Sequence, residues 1–187
     1  MLLPNYHAIS ASRLRHWKSV FICLLACSSL LLSTSSWALA SDRQQPLEIA
    51  ANSAELNEGE GFSIYTGNVI ITQGTMVIEA SSVKVTFNDD GIQTMLATDG
   101  PHDGLAYMRQ QSEPTGDGQI DIMKVWGKSI DYQINTEYLT ILGNAKLIQR
   151  GNEFSGHTIL FDRPKDNVKA TGGEGKRVKM IFLPKSN

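Results

Sequence analysis

From residue 46 onward, apolar side chains recur at alternate positions in short runs, and the runs themselves recur. Ile49-Ala50-Ala51-Asn52-Ser53-Ala54-Glu55-Leu56 has the form apolar, x, small, x, Ser/Thr, apolar, x, apolar. The same form returns at Ile78 to Val85, at Val125 to Tyr132 and at Phe154 to Phe161. Starts at 49, 78, 125 and 154 are spaced by 29, 47 and 29, so a pair of units is duplicated at an offset of 76. That offset also aligns Gly67-Asn68 with Gly143-Asn144, and Gln73 with Gln149. A fixed period over four copies points to a stack of like structural units.

Within each copy the alternation has period two, as in Tyr65, Val69 and Ile71 against Asn68 and Thr72, or Ile141, Ala145 and Leu147 against Asn144 and Lys146. Period two predicts strands with one face buried. Across the shared motif the phase changes, from Ile49, Ala51 and Ser53 to Ala54 and Leu56, as at a bulge or a sharp corner. Small residues there suit close backbone approach. Turn residues separate the strands at Asn57-Glu58-Gly59, Asn88 to Gly91, Asp99-Gly100-Pro101, Thr115 to Gly118 and Gly172-Gly173. Leu105 to Glu113 is the one stretch that reads equally as helix or strand. The fold class is all-β, strand-turn-strand units stacked along an axis.

A stack of strands exposes unpaired backbone groups at its first and last rungs unless caps cover them. The first strand, around Leu47 to Ala51, and the last, with Val178, Met180 and Phe182, are the candidate edges for assembly. Heterologous association through such edges would extend open filaments rather than close a dimer.

The first 40 residues follow another rule. They hold none of the 19 acidic residues; Arg13, Arg15 and Lys18 precede an apolar run from Val20 to Leu32, followed by serines and Ala38-Leu39-Ala40. That is the pattern of a secretory signal peptide with cleavage after Ala40, and the apolar run is shorter than the roughly 20 residues a membrane span needs. A lipoprotein-type cleavage before Cys27 is the rival reading. Residues 41–187 then form one domain with 14 basic against 19 acidic residues, a formal charge of −5. Such a charge argues against nucleic-acid binding, which needs a clustered basic surface. Both cysteines, Cys23 and Cys27, leave with the signal, so the exported domain has no disulfide, thiolate site or thiol nucleophile.

Catalytic signatures are missing from the remainder. His102 and His157 stand far apart, no G-x-S-x-G elbow occurs, Gly175-Lys176 fails the phosphate-loop pattern, and the carboxylates scatter among turns and polar positions. No cofactor or metal is implied. What is left is the apolar face, either a filled core or a cleft that admits an acyl chain. The alternation leaves both open.

Four segments carry a resemblance: Pro46-Leu47-Glu48-Ile49, Tyr65 to Gly74, Leu142-Gly143-Asn144-Ala145 and Gly175-Lys176-Arg177-Val178. Together they resemble the OstA-like family over essentially all of residues 41–187. The resemblance implies an elongated, partly open, V-shaped antiparallel β-jellyroll in the periplasm. It further implies head-to-tail joining with like domains, including those of inner-membrane and outer-membrane partners, and a shared groove for the acyl chains of lipopolysaccharide. Residues in the family's lipid-contact positions are Leu47, Ile49, Tyr132 and Ile134; the alternation adds Tyr65, Val69, Ile71, Ile141 and Leu147. Leu105 and Tyr107 are left unassigned to either face. Two other readings stand beside this one: a ligand-free structural adaptor, and a glycan-degrading β-solenoid enzyme with two facing carboxylates.

Overall fold

The computed structural model describes residues 42–111 and 120–184; the cleavage site after Ala40 and the Thr115 to Gly118 turn lie outside them. A short 3-10 turn, Asp42–Gln44, is followed by twelve strands: β1 (Glu48–Ala50), β2 (Ser53–Asn57), β3 (Phe62–Gln73), β4 (Met76–Asn88), β5 (Gly91–Thr98), β6 (Ala106–Gln111), β7 (Ile122–Gly127), β8 (Ser129–Gln133), β9 (Tyr138–Gln149), β10 (Asn152–Asp162), β11 (Asn167–Thr171) and β12 (Lys179–Ile181). Every pairing is antiparallel. Of the ambiguous stretch Leu105 to Glu113, Ala106–Gln111 is strand β6, and residues 112 and 113 lie outside the described residues.

Four long strands, β3, β4, β9 and β10, each serve two layers. Their halves nearer the hairpin turns at Gly74 and Gly151 pair in the order β1-β3-β4-β6-β7-β9-β10-β12, here sheet II. The other halves pair as β2-β3-β4-β5-β8-β9-β10-β11, here sheet I. The chain passes between layers at corners, and the recurring motif builds them. Gly67-Asn68 of β3 stands opposite the single residue Ser81 of β4, and Gly143-Asn144 of β9 opposite His157 of β10. Each is a two-against-one bulge, which bends and twists the strand.

Both members of each Gly-Asn pair have positive φ (83° and 47°; 71° and 52°), a backbone that glycine and asparagine tolerate best. The duplication at an offset of 76 residues therefore repeats one backbone device. Asn52, Ser81, Lys128 and His157, the second x of each motif copy, all sit at the corner. Backbone bonds run along it from Asn52 N–H to the Gly67 carbonyl, Ser81 N–H to Asp99, Asp99 N–H to Lys128 and Lys128 N–H to Gly143. The small motif residues have no spare room: a Cβ on Gly127 would lie 2.6 Å from the Ile141 Cγ2 atom.

Register aligns the inward side chains into rows. Sheet II contributes Ile49-Ile71-Ile78-Met108-Val125-Leu147-Phe154-Met180. Sheet I contributes Ala54-Tyr65-Val83-Ala97-Ile130-Ile141-Ile159-Ala170 and Leu56-Ser63-Val85-Met95-Tyr132-Leu139-Phe161-Val168. The interior of each row is buried and its two ends are not.

Candidate functional site: the space between the sheets

The sequence-derived groove residues fall on these rows. Val69, Ile71, Tyr132, Ile141 and Leu147 are at most 4% exposed, while Leu47, Ile49, Tyr65 and Ile134 are half-buried and pack on them from the margins. The middle of the inter-sheet space is filled by their mutual contact. Tyr107 is not part of it: it faces outward, its ring 5.1 Å from Trp126 and 4.9 Å from His102, while neighbours Ala106 and Met108 are buried inside. His102 itself pairs with Glu79 at 2.8 Å. Among the described residues no three His, Cys, Asp or Glu side chains gather as a metal cluster.

Where the rows run out, the space opens. Between the C-terminal edges a cavity of about 330 Å³ is lined by Phe154, Val168, Met180 and Phe182, with Gln149, Arg150, Asn152 and Asp166 on its rim. Phe154 and Phe182 meet edge to face at 5.8 Å. Val178 is half-buried, whereas Met180 and Phe182 are 43% and 63% exposed. At the other end Leu56 is 61% exposed on β2, and Ala51 is exposed at the corner just past β1.

The long side opposite the corners, where the hairpin turns of both sheets meet, is closed by side chains alone. Arg43, ahead of β1 in sheet II, forms an ion pair with Glu137 in the β8–β9 turn of sheet I. Glu137 also meets Arg163 at 3.4 Å, and Arg163 donates to the Tyr132 hydroxyl at 3.3 Å. Burial pushes the Tyr132 phenol above its ordinary value, against the lowering pull of Arg163. Further along, Arg150 of the β9–β10 turn reaches Asp166 of the β10–β11 turn at 2.8 Å, and Gln149 donates to the same carboxylate at 3.1 Å.

The 3-10 turn straps this side. Asp42 is 5% exposed, the one buried carboxylate among the described residues. It accepts from the Thr75 N–H at 3.1 Å, the Thr75 hydroxyl at 2.5 Å and the Gln110 amide at 3.3 Å. Gln73 donates to the carbonyls of Arg43 and Gln45. Periodicity missed this strap, because one polar turn carries no repeat. The signal that could have found it is Gln73, the residue that aligns with Gln149 and, like it, ties the open side.

The described residues thus form a two-layer antiparallel jellyroll with an apolar interior, closed by backbone on one side and by side chains on the other. A family model described as LptA/(LptD N-terminal domain) LPS transport protein matches residues 48–167, and the chain belongs to that family. The lipopolysaccharide export system protein LptH of Pseudomonas aeruginosa is 30% identical over 170 residues, 87% of this chain and 93% of that one. LptA of Haemophilus influenzae is 28% identical, covering 86% and 90%. The crystal structure of Pseudomonas LptH, titled the LptA homologous periplasmic component of the lipopolysaccharide transport device, superposes with a TM-score of 0.65 at 30% identity. It covers 77% of this chain and 99% of that one.

Proposed function

We propose that this chain is exported, cleaved after Ala40, and carries lipopolysaccharide across the periplasm as one segment of a protein bridge, without catalysis. The observation that carries the reading is the set of continuous apolar rows, open at both ends and closed along one side by side chains only. Acyl chains would enter by parting the sheets on that side and replace the contacts that fill the middle. Each buried CH₂ contributes about 0.8 kcal/mol, enough in sum to hold a multi-chain lipid; direction must come from an energised partner. Photo-crosslinkers at Ile49 and Tyr132 should label lipopolysaccharide, and one at the outward Lys146 should not. Equal labelling from Lys146 defeats the groove.

Self-association and joining to related domains of the inner-membrane and outer-membrane components belong to the same reading. Among the described residues β1 and β2 pair only with β3, and β11 and β12 only with β10, so both ends of both sheets offer backbone groups for strand addition. Removing residues 178–187 should abolish concentration-dependent oligomers in sedimentation and leave a folded monomer. Oligomers that persist would put the contact elsewhere.

The filled middle favours a second reading, a structural adaptor that uses its edges and carries no ligand. Native mass spectrometry of protein purified without detergent separates the two: bound lipid supports transport, and a clean apo mass with oligomers supports the adaptor. The glycan-degrading alternative needs facing carboxylates, and the buried Asp42 is hydrogen-bonded to Thr75 and Gln110 with no second carboxylate among its partners.

A further inference from the structure

The two ends of the sheets carry opposite charge. Residues 47–60, which hold β1, β2 and the following turn, contain Glu48, Glu55, Glu58 and Glu60 and no basic residue. Residues 167–181, which hold β11 and β12, contain Lys169, Lys176, Arg177 and Lys179 against the single Glu174. All eight named edge charges of the two sets are exposed, and none takes part in an ion pair among the described residues.

Their placement is matched sheet by sheet. In sheet I one register row runs Glu55-Ile64-Lys84-Leu96-Asp131-Thr140-Leu160-Lys169 on the outward face. Glu55 and Lys169 are thus the two ends of one row. In sheet II, Glu48 and Lys179 are outward residues of the two edge strands, on rows one pair apart: Glu48 lies opposite Thr72, in the row that ends at Ile181, and Lys179 opposite Ser155.

We infer that these charges fix the direction in which a second copy of this chain docks: the acidic β1/β2 end of one copy accepts only the basic β11/β12 end of the next. The inference rests on the head-to-tail association proposed above and adds what orients it. If the sheets continue across the joint in register, Glu55 meets Lys169 directly and Glu48 meets Lys179 on the diagonal, within reach of long side chains. Like ends would set glutamates against glutamates or lysines against lysines, which destabilises a strand pair. Both sheets then reject the same two wrong arrangements, which is specificity by repulsion as well as attraction.

Two charge-reversed chains test this by sedimentation velocity. Glu48→Lys/Glu55→Lys places lysine at the outward docking positions of both ends, and Lys169→Glu/Lys179→Glu places glutamate at all of them. Each alone should self-associate at least roughly tenfold more weakly than the natural chain, and an equimolar mixture should regain assembly as alternating copies. Raising salt from about 0.05 M to about 0.5 M should weaken the natural assembly, and the neutral set Glu48→Gln/Glu55→Gln should lose most of that salt dependence. Thermal melts check that every variant is folded. If the natural chain associates while the reversed chains associate equally well alone, or the mixture regains nothing, the electrostatic orientation is wrong and the head-to-tail reading survives. If the natural chain does not associate through its ends at all, both fall.

Discussion

The corner side and the open side of this jellyroll do the same task, joining sheet I to sheet II, with different materials. At the corners the join is the chain itself: four strands run through, their backbones bonded from Asn52 to Gly67 and from Ser81 through to Gly143. On the opposite side the join is a handful of side chains, Arg43 with Glu137 and Arg150 and Gln149 with Asp166, while Asp42, bonded to Thr75 and Gln110, anchors to sheet II the strap that carries Arg43. Partly exposed ion pairs contribute roughly 0–1 kcal/mol each, whereas opening a corner would break covalent strands. The difference makes the corners a hinge and the other side a seam. Under the proposed function, acyl chains would enter by parting the sheets at the seam, the weaker of the two joins.

The comparison breaks most readily at the hinge. Gly127→Val puts a branched side chain where even a Cβ would lie 2.6 Å from Ile141 and 3.0 Å from the Ser129 carbonyl. Overpacking against backbone should cost about 3 kcal/mol or more in urea unfolding. A loss below about 1 kcal/mol would mean that the corner yields, and the rigid-hinge description would not stand.

Asp42→Ala attacks the strap where it is anchored to sheet II. It leaves the Thr75 N–H and the Gln110 amide without their acceptor, beside a Gln110 Oε1 atom that has no partner among the described residues. Unsatisfied buried groups cost about 1–2 kcal/mol, so stability should fall by that amount while lipid capture becomes faster. Slower capture would show that the strap shapes the mouth instead of covering it.

These two sites also mark what was legible beforehand. The corners were readable because repetition betrays geometry: a phase change in four motif copies, and Gly-Asn at the same offset, have one cause, a two-against-one bulge with positive φ. The inward rows were readable for the same reason, and Ile71, Ile141 and Leu147 lie where period two placed them. The seam was not readable. Arg43 finds Glu137, and Asp42 finds Gln110, across 94 and 68 residues of chain, and single long-range contacts of this kind leave no periodic trace. Nor could alternation say whether the rows touch, since a filled core and a closed cleft have identical patterns. The outward turn of Tyr107 follows from strand parity once Ala106 and Met108 are inside, but that parity needed the start of β6, which the turn at Pro101 to Gly104 obscured.

Arg43→Gln and Glu137→Gln test the seam where it is wet. The two side chains are 47% and 31% exposed, so each change should shift the unfolding midpoint by less than about 0.5 kcal/mol in equivalent stability. Access should respond more than stability: hydrogen exchange at Tyr132 and Leu139, beneath the pair, should quicken in both variants. Unchanged exchange would mean that opening is controlled elsewhere along the seam, with Arg150 and Asp166 the next pair to remove.

The smallest effect belongs to neither side and serves as the control on sheet I itself. Asp131 lies on the outward row between Leu96 and Thr140, with one carboxylate oxygen enclosed and unpartnered among the described residues. Burial holds its carboxyl above the ordinary value of 3.8. A raised folded-state value means that the folded chain holds its proton more tightly than the unfolded chain. Its contribution to stability is therefore full below 3.8 and is lost as pH rises through the folded-state value. Asp131→Asn has no such loss. It should match the natural chain at pH 3 or below and exceed it by at most about 0.5 kcal/mol at neutral pH, with the difference appearing as the carboxyl ionises. A gain that is present already in acid would assign the effect to side-chain packing, and a loss at neutral pH would mean that the ionised carboxylate has a partner that stabilises the sheet.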